Sequence, residues 1–163
     1  MRVITLATLL SFVSITAAAA QSASGMDAMK YFVGTWTCKG AMAAGPTLDI
    51  TLKFVMDSGI LREWDEVRIP GTAAPYTISK SIAYDAKNGR WVQVQGDVDG
   101  TWIVSYLKPW TGNTEEWLGQ ASFDGKLGRN ETIRTSANEF GFKNYANPEA
   151  TKPDLDGTCT RSS

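Results

Sequence analysis

Arg62, Trp64, Glu66 and Arg68 stand at alternate positions of one run, a spacing that places four side chains on a single face of a β-strand. With Arg134 they can orient a carboxylate or hydroxyl of a ligand. The plainer use of the same groups is an internal ion pair between Glu66 and an arginine. Glu66 is also the carboxyl that can serve as a general acid or base, with Tyr106 assisting. Trp64, Trp91, Trp102 and Trp117 supply rigid aromatic area, and Gln93 an amide, which together suit a pocket for a flat or apolar molecule. The same rings can instead fill a core, or present a carbohydrate-binding surface.

Other chemistry is excluded by composition. The chain has no histidine, so a Ser-His-Asp or Cys-His relay, a His-ligated haem and a His-based zinc site are all ruled out. Asp97-Val98-Asp99-Gly100 resembles the start of a calcium loop but lacks the later ligands, and reads as a hairpin turn. Glu115-Glu116 alternates faces, which argues against a paired-carboxylate site. Asn130-Glu131-Thr132 is a glycosylation sequon only in a eukaryotic source. No metal or cofactor is indicated. Sixteen basic residues against 17 acidic ones give a formal net charge of −1, which offers no footprint for nucleic acid or anionic lipid.

The N-terminus bears on where the protein works. Met1-Arg2, the apolar run Val3 to Ile15 and Ala17-Ala18-Ala19-Ala20 read as a signal peptide over residues 1–20. The alternative is an uncleaved anchor over Val3 to Ala20, near the lower length limit for spanning. Cleavage predicts an exported protein, periplasmic or extracellular, with no stable membrane anchor. Residues 21–25 then form a linker, and 26–163 one domain. In that setting the only two cysteines, Cys38 and Cys159, predict a disulfide. Two buried free thiols are the alternative.

The elements that must position these groups are strands. After a short helical turn over Met26 to Phe32, the chain reads in period two through about ten short runs. Asn88-Gly89, Asp99-Gly100 and Asp124-Gly125 suit two-residue hairpins, and Asp57-Ser58-Gly59 a three-residue one. Hairpin after hairpin, with no long helix, predicts an all-β, antiparallel up-and-down meander, and a bond between the first and last strands favours closure into a barrel.

Turn length sets which side chains share a face. Two-residue turns at Asn88-Gly89 and Asp99-Gly100 merge Tyr76, Ile78, Lys80, Ile82, Tyr84, Trp91, Gln93, Gln95, Trp102, Val104 and Tyr106 into one face, taken as interior. Val92, Val94, Ile103 and Ser105 then face outward. A three-residue turn at Asp57 to Gly59 sends Arg62, Trp64, Glu66 and Arg68 inward with Leu48, Ile50, Leu52 and Phe54. A two-residue turn would send Glu63 and Asp65 inward instead. Either register puts charge inside the barrel, where it calls for a partner, water or a ligand.

Tyr31-Phe32-Val33-Gly34-Thr35-Trp36 resembles the opening of the lipocalin-like (calycin) barrels. With Tyr84-Asp85 before a hairpin, the chain is similar to a bacterial family of exported lipocalin-like domains of unknown function, and more distantly to nitrobindin, whose haem histidine it lacks. The resemblance implies a structural role for Gly34 and Trp36 near the closed end. Three readings follow. The first is a barrel that binds a small apolar or aromatic molecule through Arg62, Trp64, Glu66, Trp91, Gln93, Trp102, Tyr106, Trp117 and Arg134. The second is a cofactor-free cyclase, isomerase or hydratase in the same cavity, and the third a filled barrel serving as a structural or interaction module.

Overall fold

The computed structural model describes residues 25–162. The signal-peptide reading of residues 1–20 falls outside them. A short helix over 25–30 precedes ten strands: β1 (Gly34–Met42), β2 (Thr47–Asp57), β3 (Ile60–Arg68), β4 (Tyr76–Asp85), β5 (Arg90–Asp97), β6 (Trp102–Leu107), β7 (Thr114–Ser122), β8 (Arg129–Ser136), β9 (Glu139–Tyr145) and β10 (Leu155–Arg161). Each strand pairs antiparallel with its chain neighbours, and β1 pairs with β10, so the meander closes into a barrel with no free edge.

Cys38 and Cys159 lie directly opposite each other on β1 and β10 and are bonded, with both side chains buried. A bond across 121 residues removes loop-closure entropy from the unfolded chain, at most ~5 kcal/mol in the chain-entropy account. Thiol titration of the unreduced, denatured protein is expected to find no reactive thiol. Two would show that the barrel closes without the bond.

Three hairpins depart from the turn lengths read from sequence, and two of them change which side chains face inward. Between β2 and β3, Ser58 (φ 50°) and Gly59 (φ 81°) both adopt the left-handed conformation, and Asp57 pairs with Ile60. The turn therefore has two residues, as a primed turn requires positive φ at both centres. Parity on β3 flips, so Leu61, Glu63, Asp65 and Val67 face inward while Arg62, Trp64, Glu66 and Arg68 face solvent. Between β5 and β6 the loop has three residues, not two, with Gln95 opposite Ile103 and Gln93 opposite Ser105. Asp97 enforces this: its backbone N–H donates to Thr101 O, and its carboxylate accepts from Thr101 N (3.0 Å) and Oγ1. Ile103, Ser105 and Leu107 accordingly face inward, and Trp102, Val104 and Tyr106 outward. Between β4 and β5 the loop has four residues, because the Asp85 carboxylate accepts from the N–H groups of Lys87 and Asn88. A shift of two preserves parity, so the faces of β4 and β5 stand as read.

One end of the barrel is plugged. Met29 of the helix packs with Phe32, Trp36, Phe54 and Phe140 in the core. Trp36 is 0% exposed; its Nε1 donates to Phe32 O (2.7 Å), and its ring lies edge-on to Phe140 with Arg161 over it at 4.2 Å. Arg161 also donates to the carbonyls of Val33 and Tyr31, and Tyr31 Oη donates to those of Ser136 and Glu139. These bonds tie the helical segment to the strand ends. Gly34 has φ 127°, a conformation that favours glycine, and it lies where a Cβ would come within 2.9 Å of Arg161 Nη1.

Candidate functional site

Beyond the aromatic plug the barrel is hollow. The cavity measures about 280 Å³ and is walled largely by aliphatic and phenyl side chains, among them Ile50, Leu52, Ile78, Ile82, Ile103 and Phe142. These six come from inward positions of four strands, β2, β4, β6 and β9, which the period-two pattern brings to one surface.

Set into this apolar wall is a charged cluster. Glu63 and Asp65 alternate on β3, and Lys80 sits directly opposite Glu63 on β4. Lys80 Nζ donates to Glu63 Oε1 (2.6 Å) and Asp65 Oδ2 (2.8 Å), and both carboxyls are buried. Gln93 and Gln95 extend the polar strip along β5. Burial, and then the neighbouring charge of Asp65, raise Glu63 to about 8 against the pull of Lys80. Burial alone would lower Lys80, but Asp65 and Glu63 overcome it and hold the ammonium above its ordinary value. At neutral pH Glu63 thus keeps its proton beside the Lys80 ammonium. Two hydrogen-bonding atoms remain unsatisfied: Asp65 Oδ1, an acceptor, and Gln93 Nε2, a donor. Their residues are only 4% and 5% exposed, and both line the cavity. A buried polar atom without a partner is costly, so these two ask for polar atoms from whatever occupies the space.

Glu115 on β7 lines the cavity and pairs with Arg134 of β8, whose guanidinium lies over the rings of Tyr31, Phe32 and Trp110 at 4.7–5.1 Å. Burial raises Glu115 to about 7, with Arg134 opposing. Glu131 is held by Arg129, which also donates to Ala150 O and so secures the loop before β10.

The residues singled out from sequence divide by strand parity. Gln93 and Trp117 line the cavity, and Arg134 reaches it through Glu115. Trp91 is buried at the plugged end, edge-on to Tyr84, and borders an outer groove rather than the cavity. Arg62, Trp64, Glu66, Trp102 and Tyr106 correct the inward faces read for β3 and β6. Arg62 pairs with Asp57 at the surface, Trp64 and Trp102 are 44% and 45% exposed, Glu66 is exposed, and Tyr106 lies under Arg90 on the outside wall. Glu66 and Tyr106 therefore do not converge on the cavity. Glu63 and Asp65 take the interior place instead, as the two-residue turn would have it. Glu115, set aside in sequence because it alternates faces with Glu116, is the one of that pair that the alternation puts inside.

No family model matches the chain, and no curated protein matches it by sequence. By structure it is similar to Rv2717c from M. tuberculosis, with a TM-score of 0.62 and 13% identity over 85% of this chain and 97% of that one. It is also similar to the S-type phycobiliprotein lyase CPES from Guillardia theta, with a TM-score of 0.56 and 9% identity over 84% and 92%. Identities this low speak for the fold alone, a closed antiparallel up-and-down β-barrel.

Proposed function

We propose that this protein is an exported barrel that binds a small, partly apolar molecule in its interior. The observation that carries the reading is a hollow apolar interior with a buried charged cluster that leaves one acceptor and one donor unpaired. A filled structural barrel has no use for either feature. The cavity of about 280 Å³ falls just below the ~300–1,000 Å³ typical of ligand pockets, so the ligand is small. A protein named a phycobiliprotein lyase shares this barrel, which fits a fold that serves functions beyond a structural one. An enzyme acting through Glu66 and Tyr106 lacks support, because both lie on the outside wall.

Export rests on residues 1–20 as a cleaved signal peptide, with 21–25 as linker and 26–163 as the domain. The Cys38–Cys159 bond suits an oxidising compartment. Among the described residues no helix is long and apolar enough to cross a membrane.

The neutral fluorophore N-phenylnaphthylamine is expected to bind the folded domain saturably at one site. Ile103→Ala and Phe142→Ala, which cut back the cavity wall, should weaken it by about 1–3 kcal/mol. Trp102→Ala and Tyr106→Ala should leave it unchanged, since both rings lie outside. Absence of binding, or sensitivity to the outer pair alone, would remove the cavity as the site.

A further inference from the structure

The cavity wall is uneven in charge. Glu63, Asp65, Glu115 and Glu131 border it, against one bordering cation, Lys80. Arg134 and Arg129 pair with Glu115 and Glu131 from behind, which leaves two carboxyls on β3 facing one ammonium on β4. Lys80 engages one oxygen of each. Asp65 Oδ1 has no donor although its residue is almost wholly buried, and Gln93 Nε2 has no acceptor. With Glu63 protonated, that proton already offsets one carboxyl; a ligand ammonium would take its place, as donor to Asp65 Oδ1 and as the second positive charge facing the two β3 carboxyls. A hydroxyl would supply the donor alone, and a carboxylate would set a further negative charge beside the two β3 carboxyls.

We propose that the ligand is a small primary or secondary amine on an apolar body, its ammonium set against Asp65 Oδ1 and completing the charge of the Glu63–Asp65–Lys80 cluster. The inference rests on the ligand-binding reading and narrows it. An oxygen acceptor beside the amine would take the Gln93 Nε2–H. The body lies along the aliphatic wall.

The proton balance gives this arrangement a signature. Near neutral pH, Glu63 keeps its proton because burial and the Asp65 charge outweigh Lys80. An added ammonium tips that balance: the Glu63 O–H bond breaks, the proton leaves to solvent, and the carboxylate remains. Two carboxylates then face two ammoniums, and neutrality is kept inside the barrel. The other titratable groups on the cavity wall are Asp65 on β3, Lys80 on β4, Glu115 on β7 and Glu131 on β8. The helix and the remaining strands bring only uncharged side chains to it.

Titration calorimetry with phenylbutylamine, phenylbutanol and phenylbutyrate compares three head groups on one apolar body. At pH 7 the amine is expected to bind at least about ten-fold more tightly than the alcohol, with the carboxylate weakest. The heat of amine binding should vary with the ionisation enthalpy of the buffer, reporting release of up to about one proton per ligand. Asp65→Asn keeps the shape and should cut the amine's advantage over the alcohol by about ten-fold; if that variant does not fold, the wild-type comparison decides alone. Equal affinities, a preference for the carboxylate, or amine binding without proton release would overturn the inference. In those cases the binding reading survives on the N-phenylnaphthylamine result. If neither that fluorophore nor any of the three compounds binds, the binding reading falls and this inference with it.

Discussion

Trp36→Ala is expected to lower the unfolding free energy by about 3–5 kcal/mol, the range for truncating a fully buried large aromatic. Trp36 is inaccessible to solvent, touches Phe140 and Arg161, and spends its indole N–H on Phe32 O. Removing the ring opens a void among Phe32, Phe140 and the disulfide-bearing strands. It also leaves the Phe32 carbonyl without its donor, and the surrounding closed sheet limits collapse into the gap. Urea unfolding monitored by far-UV circular dichroism measures the loss. Trp36→Phe, which keeps much of the volume but not the hydrogen bond, should cost clearly less. An unchanged midpoint for Trp36→Ala would mean that the plug does not hold this end of the barrel.

A loss of similar size is expected for Lys80→Met, about 3–5 kcal/mol at pH 8, because removing one partner leaves buried carboxyls uncompensated. Its signature is the dependence on pH. Glu63 is raised in the folded state to about 8 from an ordinary 4.5, and Glu115 to about 7. Between those values the folded protein holds protons that the unfolded chain has released. The contribution of these two groups to stability is therefore greatest below about pH 4.5, declines as pH rises toward 7–8, and levels off above. Without Lys80 the Glu63 carboxyl resists ionisation further, so Lys80→Met should steepen the decline and lose most of its penalty in acid. Glu63→Gln should flatten the wild-type decline above about pH 7, leaving mainly the Glu115 contribution below it. Urea midpoints across pH 4.5–8.5 test this. A Lys80→Met penalty equal at both ends of that range would show that the cluster is wet and screened.

Much of the architecture was written locally. The period-two runs, the Gly-bearing turns and the lack of any helical stretch beyond one turn led to ten strands in an up-and-down order. Cys38 and Cys159 on the first and last runs foreshadowed closure. The inward faces of β4 and β5, including Lys80 and Gln93, were also legible, because a four-residue loop in place of two leaves parity untouched.

The faces of β3 and β6 were not legible, and with them most of the candidate site. A single residue more or less in a hairpin turns every side chain of the next strand over. Nothing local to Asp57-Ser58-Gly59 says whether Ser58 will adopt positive φ, and nothing local to Asp97 says that its carboxylate will draw Thr101 across the turn. On β3 the two alternatives were close in composition: Leu61, Glu63, Asp65 and Val67 against Arg62, Trp64, Glu66 and Arg68. What separates them lies on another strand. Glu63 finds Lys80 directly across the sheet and Asp65 reaches it on the diagonal, whereas the other set would bury two arginines and Glu66 where Lys80 adds only a further positive charge. Charge enters a core only with its partner, and that partner is supplied by tertiary pairing. Composition and periodicity thus determined a closed barrel with charge inside; the fold alone decided which charges, and the hollow they face.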